Sequence, residues 1–211
     1  MITYHKIQTC YLRDPDTNFK TLLEGQWAKP EFEWLAQNKW QATEKIDGTN
    51  IRVMFDGSKV TCNGKTDNAQ IHAHLLQYLY EHFTTEKMKA QFGEEPTEVC
   101  LYGEGYGAGI QSGGYYQEAK RFILFDVLVG STWLERPNVE DVSSGLECPI
   151  VPIVWTGTLP EMVEYVRRGY NSIVAEKEHI AEGLVMRPST ELFNRRGERV
   201  ITKLKYADFP R

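Results

Sequence analysis

The chain has 211 residues but only four cysteines, Cys10, Cys62, Cys100 and Cys148, and no two of them form a CxxC pair. They read as free thiols in a reducing cytosol, and a chain of this length buries a substantial core without disulfide staples. No stretch approaches the length of a membrane span, so a membrane partner is not expected. The N-terminus, MITYHKIQTCYLRDPD, lacks an apolar h-region. That excludes the shape of a signal peptide and leaves the cytoplasm as the expected location. Internal repeats and low-complexity tracts are missing, and no linker divides the chain. One domain over residues 1–211 is therefore expected, with residues 1–39 as an N-terminal segment packed on it. An excess of basic charge is missing too: the formal net charge is −5. Phosphate contact needs a local basic surface, however, not a basic protein. The C-terminal stretch offers one in Arg187, Arg195, Arg196, Arg199, Lys203, Lys205 and Arg211, with a plain solvated face as the competing reading.

Strand signals dominate what is present. Trp40 to Ile46 reads as a strand, as does Ile51 to Phe55, where Ile51, Val53 and Phe55 alternate with Arg52 and Met54. Asp56-Gly57 signals a hairpin turn before Lys59 to Cys62. Val99 to Glu104 leads into a glycine-rich run from Gly103 to Gly114, and the apolar RFILFDVLV, Arg121 to Val129, predicts a buried strand. Short strands follow at Leu184 to Met186 and Val200 to Leu204. Helical spacing marks Ile71 to Phe83 and Leu159 to Arg168, the latter behind Thr158 as N-cap. Together these predict an α+β fold of antiparallel strands with interspersed helices.

Five segments carry candidate chemistry. EKIDGTN, Glu44 to Asn50, sets a lysine before Asp47-Gly48; taken alone it reads as a β-turn with an exposed lysine. Tyr102-Gly103-Glu104 puts a carboxylate at a strand end. FILFDV, Phe122 to Val127, sets an aromatic beside an acid. EGLVMR, Glu182 to Arg187, starts a strand with a second carboxylate. In KLK, Lys203 and Lys205 share one face of a strand, because side chains two apart point the same way. Phe125 and Asp126, being adjacent, are expected on opposite faces.

In their order and spacing these segments resemble the covalent nucleotidyltransferase superfamily of polynucleotide ligases and mRNA capping enzymes. KIDGTN is similar to its motif I, YGE to motif III, FILFDV to motif IIIa, EGLVMR to motif IV and KLK to motif V. The resemblance runs from about Thr43 to Lys205 and is greatest to the RNA ligases, in which motif I often continues to an asparagine, here Asn50. It implies a ligase-type adenylyltransferase domain in which Lys45 forms a lysyl-AMP adduct from ATP. It further implies that Phe125 stacks on the adenine, with Phe122 the second choice. Glu44, Asp47 and Asn50 fall in the nucleotide and metal region, and Lys65 takes the ribose contact. The family usually carries an arginine at this last place; in GKTDN the lysine keeps the charge but loses the bidentate fork.

The chemistry is consistent with those residue types. An unperturbed lysine has a pKa of about 10.4, so an amine nucleophile needs neighbouring cations or a metal to favour its neutral form. Lys203 and Lys205 would do this while neutralising the α-phosphate. Magnesium or manganese needs oxygen ligands, and Glu104 and Glu182 are the candidates, unless one of them holds the ribose hydroxyls. Arg52, Arg187, Arg195 and Arg196 are the candidate nucleic-acid contacts. GKT at Gly64 to Thr66 is not a P-loop, because the earlier glycine is replaced by Lys59. His72 and His74, two apart at a helix start, do not share a helix face and are not read as a metal site.

The chain ends six residues after Lys205, which leaves no room for the C-terminal OB-fold of DNA ligases and capping enzymes. The expectation is therefore a minimal, monomeric, phage-type RNA ligase joining 5′-phosphate and 3′-hydroxyl ends, with nicks in duplex RNA among its candidate substrates. Pyrophosphate would then be oriented by Lys6, Arg13 and Lys20 or by a partner protein. A minimal DNA ligase, a capping guanylyltransferase and an inactive nucleotide- or RNA-binding module are the competing readings.

Overall fold

The computed structural model describes residues 3–93 and 98–209, so Arg211 lies outside the described residues. The chain divides into two compact units. One takes the described residues of Met1–Tyr4, Asp47–Val151 and Ala175–Lys177; the other takes His5–Ile46, Pro152–Val174 and the described residues of Glu178–Arg211. We call them the Asp47 unit and the Lys45 unit.

The Asp47 unit is built on a five-stranded antiparallel sheet in the order Val60–Gly64, Thr49–Phe55, Val99–Tyr106, Arg121–Val129 and Thr132–Trp133. Asp56 forms the hairpin turn, its Oδ1 accepting from the backbone N–H groups of Ser58 and Lys59 while Gly57 takes a positive φ of 88°. One sheet face is covered by the helices Ala73–His82, Thr85–Phe92 and Arg136–Gly145. Leu75, Leu79, Met88, Val139 and Val142 pack there against Ile51, Val53, Leu101 and Leu124. The first helix starts two residues later than its apolar spacing predicts, because His72 caps it, Nδ1 accepting from His74 N. The two other helices were not foreseen from the sequence; Thr84 caps the first of them, accepting from Lys87 N.

The Lys45 unit holds a second five-stranded sheet, ordered Gln8–Thr9, Thr202–Lys205, Gly183–Pro188, Trp40–Lys45 and Ile153–Gly157. All its pairs are antiparallel except the first, which is parallel. Helix Leu159–Arg168 buries Leu159, Met162, Val163 and Val166 against Trp40, Ala42, Leu184, Met186 and Leu204. It starts with a full capping box between Thr158 and Glu161, which satisfies two of its orphan N–H groups. The α+β class and the antiparallel pairing are thus as expected. Among the described residues no helix is long and apolar enough to cross a membrane. All four cysteines are free and buried. Burial pushes the Cys10, Cys62 and Cys148 thiols up to about 12 and Cys100 to about 11.

Candidate active site

In the Lys45 unit, strand alternation sorts the candidates. Along Trp40–Lys45, Trp40, Ala42 and Glu44 are buried, while Gln41, Thr43 and Lys45 take the other face. Along Thr202–Lys205, Thr202 and Leu204 are buried and Lys203 and Lys205 are the partly exposed pair. The strand Gly183–Pro188 runs between these two, and its register places Gly183 opposite both Lys45 and Lys205. A side chain at Gly183 would bring a Cβ within 2.0 Å of the Leu204 carbonyl oxygen, so only glycine lets the strands close here. Glu182, one residue earlier, reaches both amines: Oε2 accepts from Lys45 Nζ at 2.5 Å and Oε1 pairs with Lys205 Nζ at 2.6 Å.

Lys203 stands on the same face, its row shared with Val185 and Thr43. Burial, then the neighbouring charges of Lys45 and Lys205, lower its pKa from the ordinary lysine value. Three lysines and one glutamate leave this cluster with a formal charge of +2. Such a donor set suits an anionic phosphate chain.

Asp208 was missed in the sequence. It is buried, accepts Lys205 N at 2.8 Å on one oxygen and Arg13 Nη2 at 2.7 Å on the other, and so fixes the backbone that carries Lys205. Three residues after Lys205, it reaches back to that N–H as the acid of a capping box does, but with a lysine at the N-cap the usual Ser/Thr signature is absent from the sequence. Arg13 also donates to the Phe19 carbonyl.

Glu44 points away from Lys45. Its carboxylate is buried, bonded to Ser172 Oγ and to Ile173 N, and it tethers the loop that leads towards Glu182. Burial raises its pKa above the ordinary carboxylate value, against the lowering effect of those hydrogen bonds. The adjacent-residue reading of a nucleotide contact therefore does not match where its side chain lies; strand alternation sends it to the core face.

Two members of the C-terminal basic stretch, Arg187 and Arg199, are ion-paired within the unit. Arg199 is buried and makes a two-pronged contact with Glu191, and Arg187 lies 3.9 Å from the same carboxylate. Arg187, a candidate nucleic-acid contact in the sequence, is thus ion-paired within the unit. Arg195 and Arg196 are exposed and have no ion-pair partner among the described residues.

The Asp47 unit carries the remaining candidates. Asp47 is tied to the glycine-rich segment: its Oδ2 accepts from Ser112 N at 3.3 Å and its N–H donates to the Tyr116 hydroxyl at 3.1 Å. That segment is internally hydrogen-bonded, with Ala108 N donating to Gln117 O and Ile110 N to Gly107 O. Asn50 and Glu104 are direct cross-strand partners and share a face. Asn50 Oδ1 is buried without a hydrogen-bond partner among the described residues. An orphan acceptor beside a carboxylate fits a hydroxyl-bearing ligand or a metal-bound water.

Arg52 departs from expectation. Its guanidinium is buried, with Nε donating to Gly64 O at 2.9 Å and Nη2 to Asp67 Oδ1 at 2.7 Å. It holds the segment bearing Lys65, which is itself exposed, and is not on the surface to meet a polymer. Phe122 is core, edge-on to Phe83 at 5.3 Å; its ring lies over Gly103, where a Cβ would fall 2.2 Å from it. Phe125 is only partly buried. The alternation argument fails here, because a β-bulge falls between the pairs Tyr102–Asp126 and Gly103–Leu124, and a bulge breaks the period of two. Tyr4 touches both neighbours: its hydroxyl donates to Asp126 Oδ2 at 2.6 Å and its ring meets Phe125 edge-on at 5.1 Å. Among the described residues no group of three or more His, Cys, Asp or Glu could hold a metal ion alone.

A family model described as RNA ligase matches residues 38–205. The fold is similar to that of a Naegleria gruberi RNA ligase variant with ATP and Mn, at a TM-score of 0.66 and 17% identity over 97% of this chain and 56% of that one. An apo variant of the same enzyme gives 0.65 and 17%, over 98% and 57%. A further variant with ATP and Mn gives 0.62 and 18%, over 83% and 52%. The chain thus spans a little over half the length of these structures.

Proposed function

Since this chain belongs to the RNA ligase family, we propose that it is an ATP-dependent enzyme that joins RNA 5′-phosphate and 3′-hydroxyl ends through an adenylylated Lys45. The observation that carries the proposal is Glu182 holding Lys45 and Lys205 on its two oxygens within a cationic cluster. In the first step the Lys45 Nζ lone pair attacks the α-phosphorus of ATP. The Lys45 ammonium first loses one proton to solvent; as the P–N bond forms, the bond to pyrophosphate breaks, its electron pair leaves with pyrophosphate, and a second proton passes from the nitrogen to the Glu182 carboxylate it already touches. Lys203 and Lys205 offset the charge that spreads over the α-phosphate oxygens, which is where phosphoryl transfer gains most. The AMP moiety then passes to an RNA 5′-phosphate, and attack by a 3′-hydroxyl seals the strand and releases AMP.

Asn50, Glu104 and Phe125, with Asp47 and Lys65, are proposed to hold the nucleoside, Asn50 through its unpartnered oxygen. Glu44 contributes through the loop it tethers. A divalent cation, magnesium or manganese, would be held by Glu182 or Glu104 together with phosphate oxygens and would withdraw negative charge from the reacting phosphate. The Naegleria gruberi variants with ATP and Mn support that choice of nucleotide and metal type. The four buried free thiols suit a reducing compartment such as the cytoplasm. The protein is proposed to act as a monomer in one nucleotidyltransferase domain, on RNA ends.

Incubation with α-labelled ATP and magnesium, followed by a denaturing gel, tests this reading. A covalent band with ATP and not GTP, followed by sealing of nicked duplex or single-stranded RNA in preference to DNA, is expected. Labelling by GTP alone, or sealing of DNA alone, contradicts it.

A further inference from the structure

Away from the lysine cluster, the Lys45 unit carries an open groove of about 680 Å³ lined by Lys29, Trp34, Leu192, Phe193, Arg195 and Arg196 among others. Trp34 is 85% exposed and Phe193 52%. Helix Pro30–Trp34 explains the first: Phe32 turns inward against Trp40, at 6.4 Å, and Trp34 is left on the outside. A short turn explains the second. Asn194 Oδ1 accepts from the N–H groups of Arg196 and Glu198, Gly197 takes a positive φ of 74°, and Phe193 pairs with the anchored Arg199. The aromatics and the two arginines are thus presented from ordered backbone.

The charges around the groove are uneven. Glu198 is held by Asn194 and lies 3.7 Å from Lys29, so those two largely cancel. Glu31 then stands against Arg195 and Arg196, leaving the groove net positive in a chain whose net charge is −5. Exposed aromatic faces beside two exposed guanidinium groups suit one polymer best: unpaired bases stack on the rings while the arginines meet the phosphates. A duplex keeps its bases stacked on each other and cannot use the rings.

We propose that this groove is a binding subsite for single-stranded RNA, with Trp34 and Phe193 as the stacking platform and Arg195 and Arg196 as phosphate contacts. The identity of the polymer rests on the proposed RNA ligase function; the groove itself does not depend on Lys45.

The test is fluorescence anisotropy with a labelled oligouridylate over a salt series. Trp34→Ala should weaken binding by about 5- to 100-fold, and Trp34→Tyr, which keeps a ring, should stay within about threefold of wild type. Replacing Arg195 and Arg196 together by alanine should flatten the plot of log affinity against log salt by roughly 0.7 per arginine. Lysyl-AMP formation by Trp34→Ala should match wild type. RNA carrying 4-thiouridine should crosslink to the wild-type peptides that bear Trp34 or Phe193. The proposal is overturned if Trp34→Ala binds oligouridylate like wild type at every salt concentration. It is equally overturned if the crosslinks fall elsewhere, or if Trp34→Ala instead disrupts a dimer and leaves RNA binding intact. Should wild-type protein form no lysyl-AMP, the catalytic reading fails while this binding measurement is still decided on its own.

Discussion

Glu182 Oε2 lies 2.5 Å from Lys45 Nζ, and the pairing is set by the sheet, because Gly183 is the residue opposite Lys45 in the neighbouring strand. The same carboxylate takes Lys205 at 2.6 Å. Glu182→Gln cannot balance two ammonium groups, since an amide offers one neutral acceptor and a donor that faces a cation. Lysyl-AMP formation should slow by roughly 100- to 1,000-fold, the range for losing one preorganised electrostatic partner. Single-turnover labelling measures it; a rate within about threefold of wild type would remove Glu182 from the chemistry.

That cluster is legible in the amino-acid sequence, and the reasons are local. Lys203 and Lys205 share a face because strands repeat every two residues, and Lys45 ends a strand whose alternation is regular. The same rule failed at Phe125 and Asp126, where a bulge removes the period, and bulges leave no mark in an apolar run such as RFILFDVLV. Arg52 looked like a surface cation because its strand reads as half-exposed. Both faces of that strand are covered, and the guanidinium finds Gly64 and Asp67 through the hairpin. Ser172 could not be foreseen at all: it meets Glu44 across 128 positions of sequence.

Arg52→Met tests the structural role of that arginine. The Gly64 carbonyl would lose its donor in a buried setting, which costs about 1–3 kcal/mol. A chain of this size should then melt roughly 2–12 °C lower. Limited proteolysis should find new cleavage near Lys65. An unchanged melting temperature, with weaker RNA binding, would instead return Arg52 to the polymer contact.

Glu44 gives a pH-dependent stability of definite sign. Its folded pKa is raised by burial above an ordinary value of 4.5, so the folded state holds the proton more tightly than the unfolded one. The stabilising contribution is present below that ordinary value and is lost as pH rises through it towards the folded pKa. Glu44→Gln, which cannot ionise, should therefore gain stability relative to wild type on going from about pH 4 to pH 7. Thermal melts across that range measure the difference; a stability of Glu44→Gln relative to wild type that stays constant or falls as pH rises contradicts the assignment.

The most direct measurement is the mass and the site of the covalent adduct. Protein stripped with pyrophosphate, then given ATP and magnesium, should gain the mass of one AMP, and peptide mapping should place it on Lys45. Lys45→Ala should gain none while melting close to wild type. No adduct on the stripped wild-type protein, or an adduct that maps to Lys203 or Lys205, would contradict the account.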